Sequence, residues 1–203
     1  MHRSIHTARF ALALLIVAVT RVGAQRPTKP KDGTVHVVIE TDRGNIAVAL
    51  DSARAPRSVA NFLRYVDGGF YTNGRFHRAV TPGNQPRDSV RIEVIQGGAD
   101  PQRQGQGFPP IELEPTSVTG VHHHDGTLSM ARAGPNTATS DFFICIGDQP
   151  ALDFGGHRNL DGQGFAAFGQ VTDGMAIVRA IQTAPASGQQ LMPPVTIRRI
   201  RRE

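Results

Sequence analysis

The run His122-His123-His124-Asp125 gathers potential metal ligands. Imidazole and carboxylate are good ligands, but consecutive residues rarely converge on one ion, and no second His or Cys cluster stands at suitable spacing. An accessible loop is the expected role. Cys145 lies between Ile144 and Ile146 in an apolar run, which argues for a buried, inert thiol rather than a nucleophile. Gly105-Gln106-Gly107 and Gly162-Gln163-Gly164 lack the lysine or following helix of a phosphate-binding loop. Arg78, Gln96 and Arg132, like the other cations and amides of the chain, carry no assignment from spacing alone. Such groups can stabilise developing charge without forming a covalent bond. Taken singly, each reads as an ordinary surface residue, and Phe143 as core.

The elements that must carry these residues follow from periodicity. Val35, Val37 and Ile39 alternate with His36, Val38 and Glu40, and after Asp42-Arg43-Gly44 the alternation resumes in Ile46, Val48 and Leu50, which predicts a hairpin. Between Ala55 and Val66 the apolar residues Val59, Phe62, Leu63 and Val66 recur at helical spacing, with Pro56 in the first turn and Gly68-Gly69 at the end. Strand-like runs follow at Arg75 to Val80, Ile92 to Gln96, Gly126 to Arg132, Phe142 to Gly147 and Phe165 to Val171, separated by Gly, Pro and Asn. That spacing predicts a sandwich or barrel. Met175, Ile177, Val178 and Ile181 predict a second helix over Gly174 to Gln182, and Val195 to Ile200 a closing strand.

The N-terminus reads differently. Arg3 and Arg9 precede an apolar run from Phe10 to Val19 and the small residues Val22-Gly23-Ala24, so residues 1–24 are expected to be a signal peptide. The run falls short of the roughly 20 residues of a membrane span, and no membrane association is expected after cleavage. Residues 25–33, with two prolines and little that is apolar, read as a tether, leaving 34–203 as the folded domain. Loss of Arg3, Arg9 and Arg21 lowers the net charge from +5 to +2, with 19 basic residues against 17 acids. Nucleic acid is therefore not an expected partner. Arg198, Arg199, Arg201 and Arg202 could meet acidic surfaces or stay solvated. One cysteine allows no internal disulfide, and an exported chain of this length can bury an adequate core without one.

Three ordered blocks complete the reading: Phe76-His77-Arg78 with Gln96-Gly97-Gly98, then LSMARAGPNTATSDFFIC from Leu128 to Cys145, then Phe165-Ala166-Ala167-Phe168-Gly169 with Asp173-Gly174-Met175. Together they resemble the signature of cyclophilin-type peptidyl-prolyl isomerases, bacterial exported members in particular, over roughly Gly33 to Ile200. The resemblance implies a mainly β fold, a closed eight-stranded antiparallel barrel capped by two helices, with an active groove on its outer face. It implies Arg78 as the catalytic cation and Gln96 as the residue orienting it. It places Phe143 at the floor of a proline pocket, Leu152 and Phe165 on its walls, Phe76 and Val94 beside them, and Ala131 and Arg132 along the peptide edge. Phe142 should point into the barrel, because adjacent strand residues face opposite ways. No cofactor or metal is implied. The partners would be proline-containing, incompletely folded polypeptides outside the cytoplasm, met in a periplasm or after secretion, with the enzyme acting as a monomer.

Some positions depart from the family pattern. Eighteen positions separate Arg78 from Gln96, more than is usual, and the extra segment over 81–93 reads as a loop insertion. Glu93 and Val94 stand where a Phe-Met pair is common, so that one pocket wall is depleted unless Val94 fills part of it or the insertion covers it. Asp141 replaces a usual glutamine and could pair with Arg78 or Arg132, withholding charge from a bound imide. Ala151 precedes Leu152 where drug-sensitive members carry tryptophan, and Phe165 replaces their histidine. The alternative reading is a cyclophilin-fold module that binds proline peptides with little or no turnover.

Overall fold

The computed structural model describes residues 33–86, 88–103 and 105–203. The signal peptide expected over 1–24 and all of the tether except Gly33 lie outside the described residues. Strands β1 (Thr34–Thr41) and β2 (Gly44–Asp51) form the predicted hairpin, paired from Thr34 with Asp51 to Thr41 with Gly44. Helix α1 (Pro56–Asp67) follows, then β3 (Gly74–Val80), β4 (Val94–Gly98), a one-turn helix α2 (Thr116–Thr119), β5 (Thr127–Met130) and β6 (Phe142–Cys145). The chain ends with β7 (Ala166–Asp173), α3 (Met175–Gln182), the short β8 (Ala186–Ser187) and the long β9 (Gln190–Arg202). The sheet runs β1-β2-β7-β5-β6-β4-β3-β9, and β9 pairs back onto β1, closing an antiparallel barrel of eight strands. β8 stands outside the ring as a hairpin partner of β9.

The barrel is filled by the inward residues the alternation identified. Val37, Ile39, Ile46, Val48 and Leu50 join Ile95, Leu128, Phe142, Ile144 and Phe168 in one core, and α1 adds Val59, Phe62, Leu63 and Val66 while α3 adds Val178 and Ile181. Phe62 meets Phe142 edge-on at 5.4 Å. Pro56 suits the first turn of α1 because its missing N–H would have no helical partner there. The next donors find a partner far away in sequence: Arg57 N and Ser58 N donate to the Glu114 carboxylate at 3.0 and 2.7 Å, a buried anion at the positive end of the helix.

Several elements differ from expectation. α2, four residues without an apolar period, carries no signal of the kind that revealed α1. β9 begins at Gln190, five residues before the predicted strand, because the β8 hairpin extends it beyond the apolar stretch. The C-terminal arginines are neither free nor simply solvated. Arg199 and Arg201 share Glu40, Arg198 pairs with Asp42 and Arg202 with Asp67. Each pair has an exposed arginine, so each adds little stability individually, but Arg199 and Arg201 are committed to the β1–β9 seam that closes the barrel, Arg198 to the turn after β1 and Arg202 to the end of α1.

Candidate active site

The candidate residues stand in one row across the outside of the barrel. Arg78 on β3 is opposite Gln96 on β4, Gln96 is opposite Phe143 on β6, and Phe143 is opposite Ser129 on β5. Register thus unites positions that are far apart in sequence. Arg78 reaches this row through a bulge. Pairing slips between Phe76 and Arg78 in both the β3–β4 and β3–β9 ladders. Phe76 points into the barrel, whereas two positions on, Arg78 lines the outer groove, and Ala79 returns to the core. An uninterrupted strand would have sent Phe76 and Arg78 to the same face.

This corrects the placement of Phe76. It is fully buried, its ring 5.8 Å from Phe142 inside the barrel, and it does not line the groove. Its influence is indirect: a side chain at Gly97 would strike the Phe76 ring, and one at Gly98 would collide with the Asp141 carboxylate. At Gly97 the buried ring and the Arg75 carbonyl leave no room for a side chain, whereas at Gly98 Asp141 would have to move aside.

Arg78, Val94, Gln96, Ala131, Arg132, Asp141, Phe143, Leu152 and Phe165 all line one groove of about 530 Å³. Its apolar part is a cluster separate from the barrel core: Val80, Ile92, Val94, Phe143, Cys145 and Leu152, with Ala131 and Phe165 packed against it. Phe142 and Phe143 face opposite ways, as the strand period requires. Phe165 meets Phe143 edge-on at 5.3 Å, and the Arg132 guanidinium lies 5.1 Å from the Phe165 ring centre. The wall left by the missing Phe-Met pair is filled from both sources considered: Val94 supplies part, and Ile92, at the end of the insertion, supplies the rest. Glu93 turns away, its carboxylate accepting from Gln182 on α3 at 3.0 Å.

Around the cation, Arg78 Nη1 donates to Gln96 Oε1 at 3.0 Å, and Gln96 Nε2 donates to Asp141 Oδ2 at 3.2 Å. Asp141 therefore reaches Arg78 through Gln96, and the His77 imidazole Nε2 lies 3.7 Å from its Oδ2. Arg132 is engaged elsewhere, with Asp161 at 2.7 Å and the Gly164 carbonyl at 2.8 and 2.6 Å. Burial, and then the nearby Arg158 cation, lower the pKa of Arg78, with Asp88 opposing; a guanidinium nevertheless stays charged. Residues missed in the sequence complete the surroundings. Gln189 Oε1 accepts from Arg78 Nε and Nη2 at 2.9 and 2.6 Å, across 111 positions, which no local spacing could reveal. Arg158 and Asn159 lie on the rim, the latter with its amide Nδ2 buried and unpartnered among the described residues. A second hollow of about 580 Å³ adjoins the groove and shares Thr139 and Asp141, but it has neither Arg78 nor the apolar cluster.

The histidine run is not simply an accessible loop. His122 and His124 are exposed, but His123 is buried beneath the groove, its ring stacked on Phe143 at 5.9 Å. Its Nδ1 meets Asp153 Oδ1 at 2.6 Å and its Nε2 meets Ser129 Oγ at 2.9 Å. Desolvation lowers the His123 pKa, against the pull of Asp153. Burial opposes ionisation of Asp153, yet hydrogen bonds from His123 and His122 outweigh it and hold the carboxyl down at about 2. The neutral ring then donates from Nδ1 to Asp153 and accepts from Ser129. Cys145 is buried, and desolvation pushes its thiol well above the usual range.

Residues 36–202 match the family model described as cyclophilin type peptidyl-prolyl cis-trans isomerase/CLD. The chain is 35% identical over 190 residues to peptidyl-prolyl cis-trans isomerase A of Dickeya dadantii, covering 90% of this chain and 92% of that one. It is 36% identical over 148 residues to peptidyl-prolyl cis-trans isomerase B of Escherichia coli, covering 72% and 83%. A crystal structure of a Cryptosporidium parvum cyclophilin type peptidyl-prolyl cis-trans isomerase superimposes with a TM-score of 0.67 at 25% identity, over 84% of this chain and 98% of the other. The same enzyme in the presence of the dipeptide Ala-Pro gives 0.66, over 83% and 98%. With its barrel, its signature blocks and these relatives in agreement, the chain belongs to the cyclophilin-type peptidyl-prolyl cis-trans isomerases.

Proposed function

We propose that this groove is where the chain accelerates rotation about Xaa-Pro bonds of incompletely folded polypeptides, with Arg78 as the catalytic cation. The uncatalysed barrier of about 18–20 kcal/mol arises from amide resonance. Twisting the bond localises the lone pair on the imide nitrogen, and a cation aimed there favours the twisted state over either planar one. The proline ring sits on Phe143 between Leu152, Phe165, Val94 and Ile92, while Gln96 orients Arg78. Ala131 and Arg132 form the edge along which the peptide lies, and Asp141 closes its far side. No covalent intermediate is needed, because no bond is broken.

The observation that carries this reading is the convergence of Arg78, Gln96 and Phe143 on one groove with an apolar floor. The Ala-Pro dipeptide of the Cryptosporidium structure supports the same class of ligand. About 4 kcal/mol of selective stabilisation by Arg78 would correspond to about a thousandfold in rate. Arg78→Ala is therefore expected to remove most of the activity in a protease-coupled or exchange-NMR assay on a short Xaa-Pro peptide, with melting behaviour retained. Unchanged rates would refute the assignment of Arg78, and peptide binding without enhanced exchange would leave a binding module.

We propose further that the clients are exported polypeptides, on the strength of the cationic, apolar and small-residue succession over 1–24. Mass spectrometry of the protein from cells should then find an N-terminus at Gln25. An intact Met1 in the mature pool would refute this.

A further inference from the structure

The insertion over 81–93 folds back on the end of β3. Asn84 Oδ1 accepts from Thr81 N at 2.9 Å, and Asn84 Nδ2 donates to Ala79 O at 2.9 Å and to Gly188 O at 3.1 Å. The segment thereby ties β3 to the tip of the β8–β9 hairpin, where Gly188, at φ +60°, makes the turn. The next residue is Gln189. Its backbone carbonyl accepts from Ala79 N at 2.9 Å, and its side-chain Nε2 donates to Asn84 O at 3.2 Å. With that nitrogen so held, Oε1 is turned toward Arg78, where it accepts from Nε and Nη2.

We infer that Gln189 is a positioning residue for Arg78, and that the 81–93 insertion serves to hold Gln189 in place. The inference rests on Arg78 being the catalytic cation. A guanidinium has five N–H groups; Gln189 takes two and Gln96 a third, from opposite sides. The two that remain are directed by a group that can no longer swing on its flexible stem. A glutamine suits this task because its oxygen is neutral. It orients the guanidinium without pairing off the charge needed at the imide nitrogen, as a carboxylate in the same place would do.

The test combines activity with the side-chain NMR signal of the Arg78 Nε–H, identified by its absence in Arg78→Lys. In Gln189→Ala that proton is expected to exchange with solvent about tenfold faster, and kcat/KM to fall about tenfold with KM within about twofold, since the bond acts on orientation in the transition state. Gln189→Glu retains an acceptor and is expected to keep the Nε–H protected while still losing rate. Asn84→Ala should speed the exchange about threefold by loosening the hairpin. Unchanged exchange in Gln189→Ala, or faster exchange with an unchanged kcat/KM, would overturn the proposal; unchanged exchange in Asn84→Ala would remove the insertion from it. Wild-type activity in Arg78→Lys would instead strike the functional reading, leaving the exchange result to report on the clamp alone.

Discussion

At Gln96 one amide serves two masters of opposite charge. Its oxygen faces the Arg78 guanidinium and its nitrogen the Asp141 carboxylate, so the amide has one satisfied orientation. Asp141 thus orients Gln96, while its negative charge lowers the potential that Arg78 presents to a bound imide. These effects separate by substitution. Asp141→Gln keeps an acceptor but removes the charge, and is expected to raise kcat/KM about twofold, whereas Asp141→Ala removes the acceptor and should lower it. A lower value for Asp141→Gln in the same peptide assay would mean that orientation by the full charge outweighs its withdrawal. Asp141 was visible in the sequence as a departure, but its route to Arg78 through Gln96 was not, because that route depends on three strands meeting in register.

The insertion acts as a folded element even though it contains little regular structure. Gln85 is buried at its centre, donating to Thr81 O and Ile92 O at 2.8 Å each and accepting from Ile92 N at 3.2 Å. The side chain completes backbone hydrogen bonding that a strand partner would otherwise supply. Arg158 locks the loop from the rim, donating to Val90 O at 2.7 Å and to Asp88 at 3.0 Å. Gln85→Ala is expected to cost about 2 kcal/mol, because it strands buried backbone groups, and to raise KM as Ile92 loses its place on the pocket wall. Denaturant midpoints and peptide kinetics would show both; an unaltered midpoint would mean water replaces the side chain fully. The hairpin, α1, α3 and the inner face of each strand were legible because their apolar periods are long and regular. The insertion was read only as a loop, and α2 and the Gln189 hairpin gave no signal, since their order comes from side-chain-to-backbone bonds rather than an apolar period.

For the molecule as a whole, the groove and the barrel have separate apolar clusters but share the titration of one buried histidine. Desolvation holds the His123 pKa below its ordinary value of 6.5, so the unfolded chain takes up a proton at a higher pH than the folded one. Stability from this residue is present above about pH 6.5 and is lost as the pH falls below it. Asp153, held at about 2, makes a contribution that persists to lower pH and disappears as its carboxyl protonates between its ordinary 3.8 and that value. The melting temperature should accordingly decline in two stages on acidification. His123→Asn should flatten the first stage while lowering the plateau, and an unaltered first stage would assign it to other groups. The signature blocks announced the groove's membership, yet His123 looked like part of a solvated run, because only the folded chain puts Phe143 over its ring and Asp153 beside it.

The slip in β3 between Phe76 and Arg78 has a consequence for how such a protein can arise or be lost. A barrel needs every second residue inside, and nothing in that requirement would keep a charged group and an aromatic ring two places apart on opposite faces. One supernumerary residue in the strand lets a single short sequence serve both the interior and the groove. Losing the slip with every residue kept would restore strict alternation and put Phe76 and Arg78 on one face, sending either the ring out to solvent or the guanidinium in among the aromatic rings of the core. The step between a plain barrel and one that can work on proline is, at this strand, a change of phase by one amino acid.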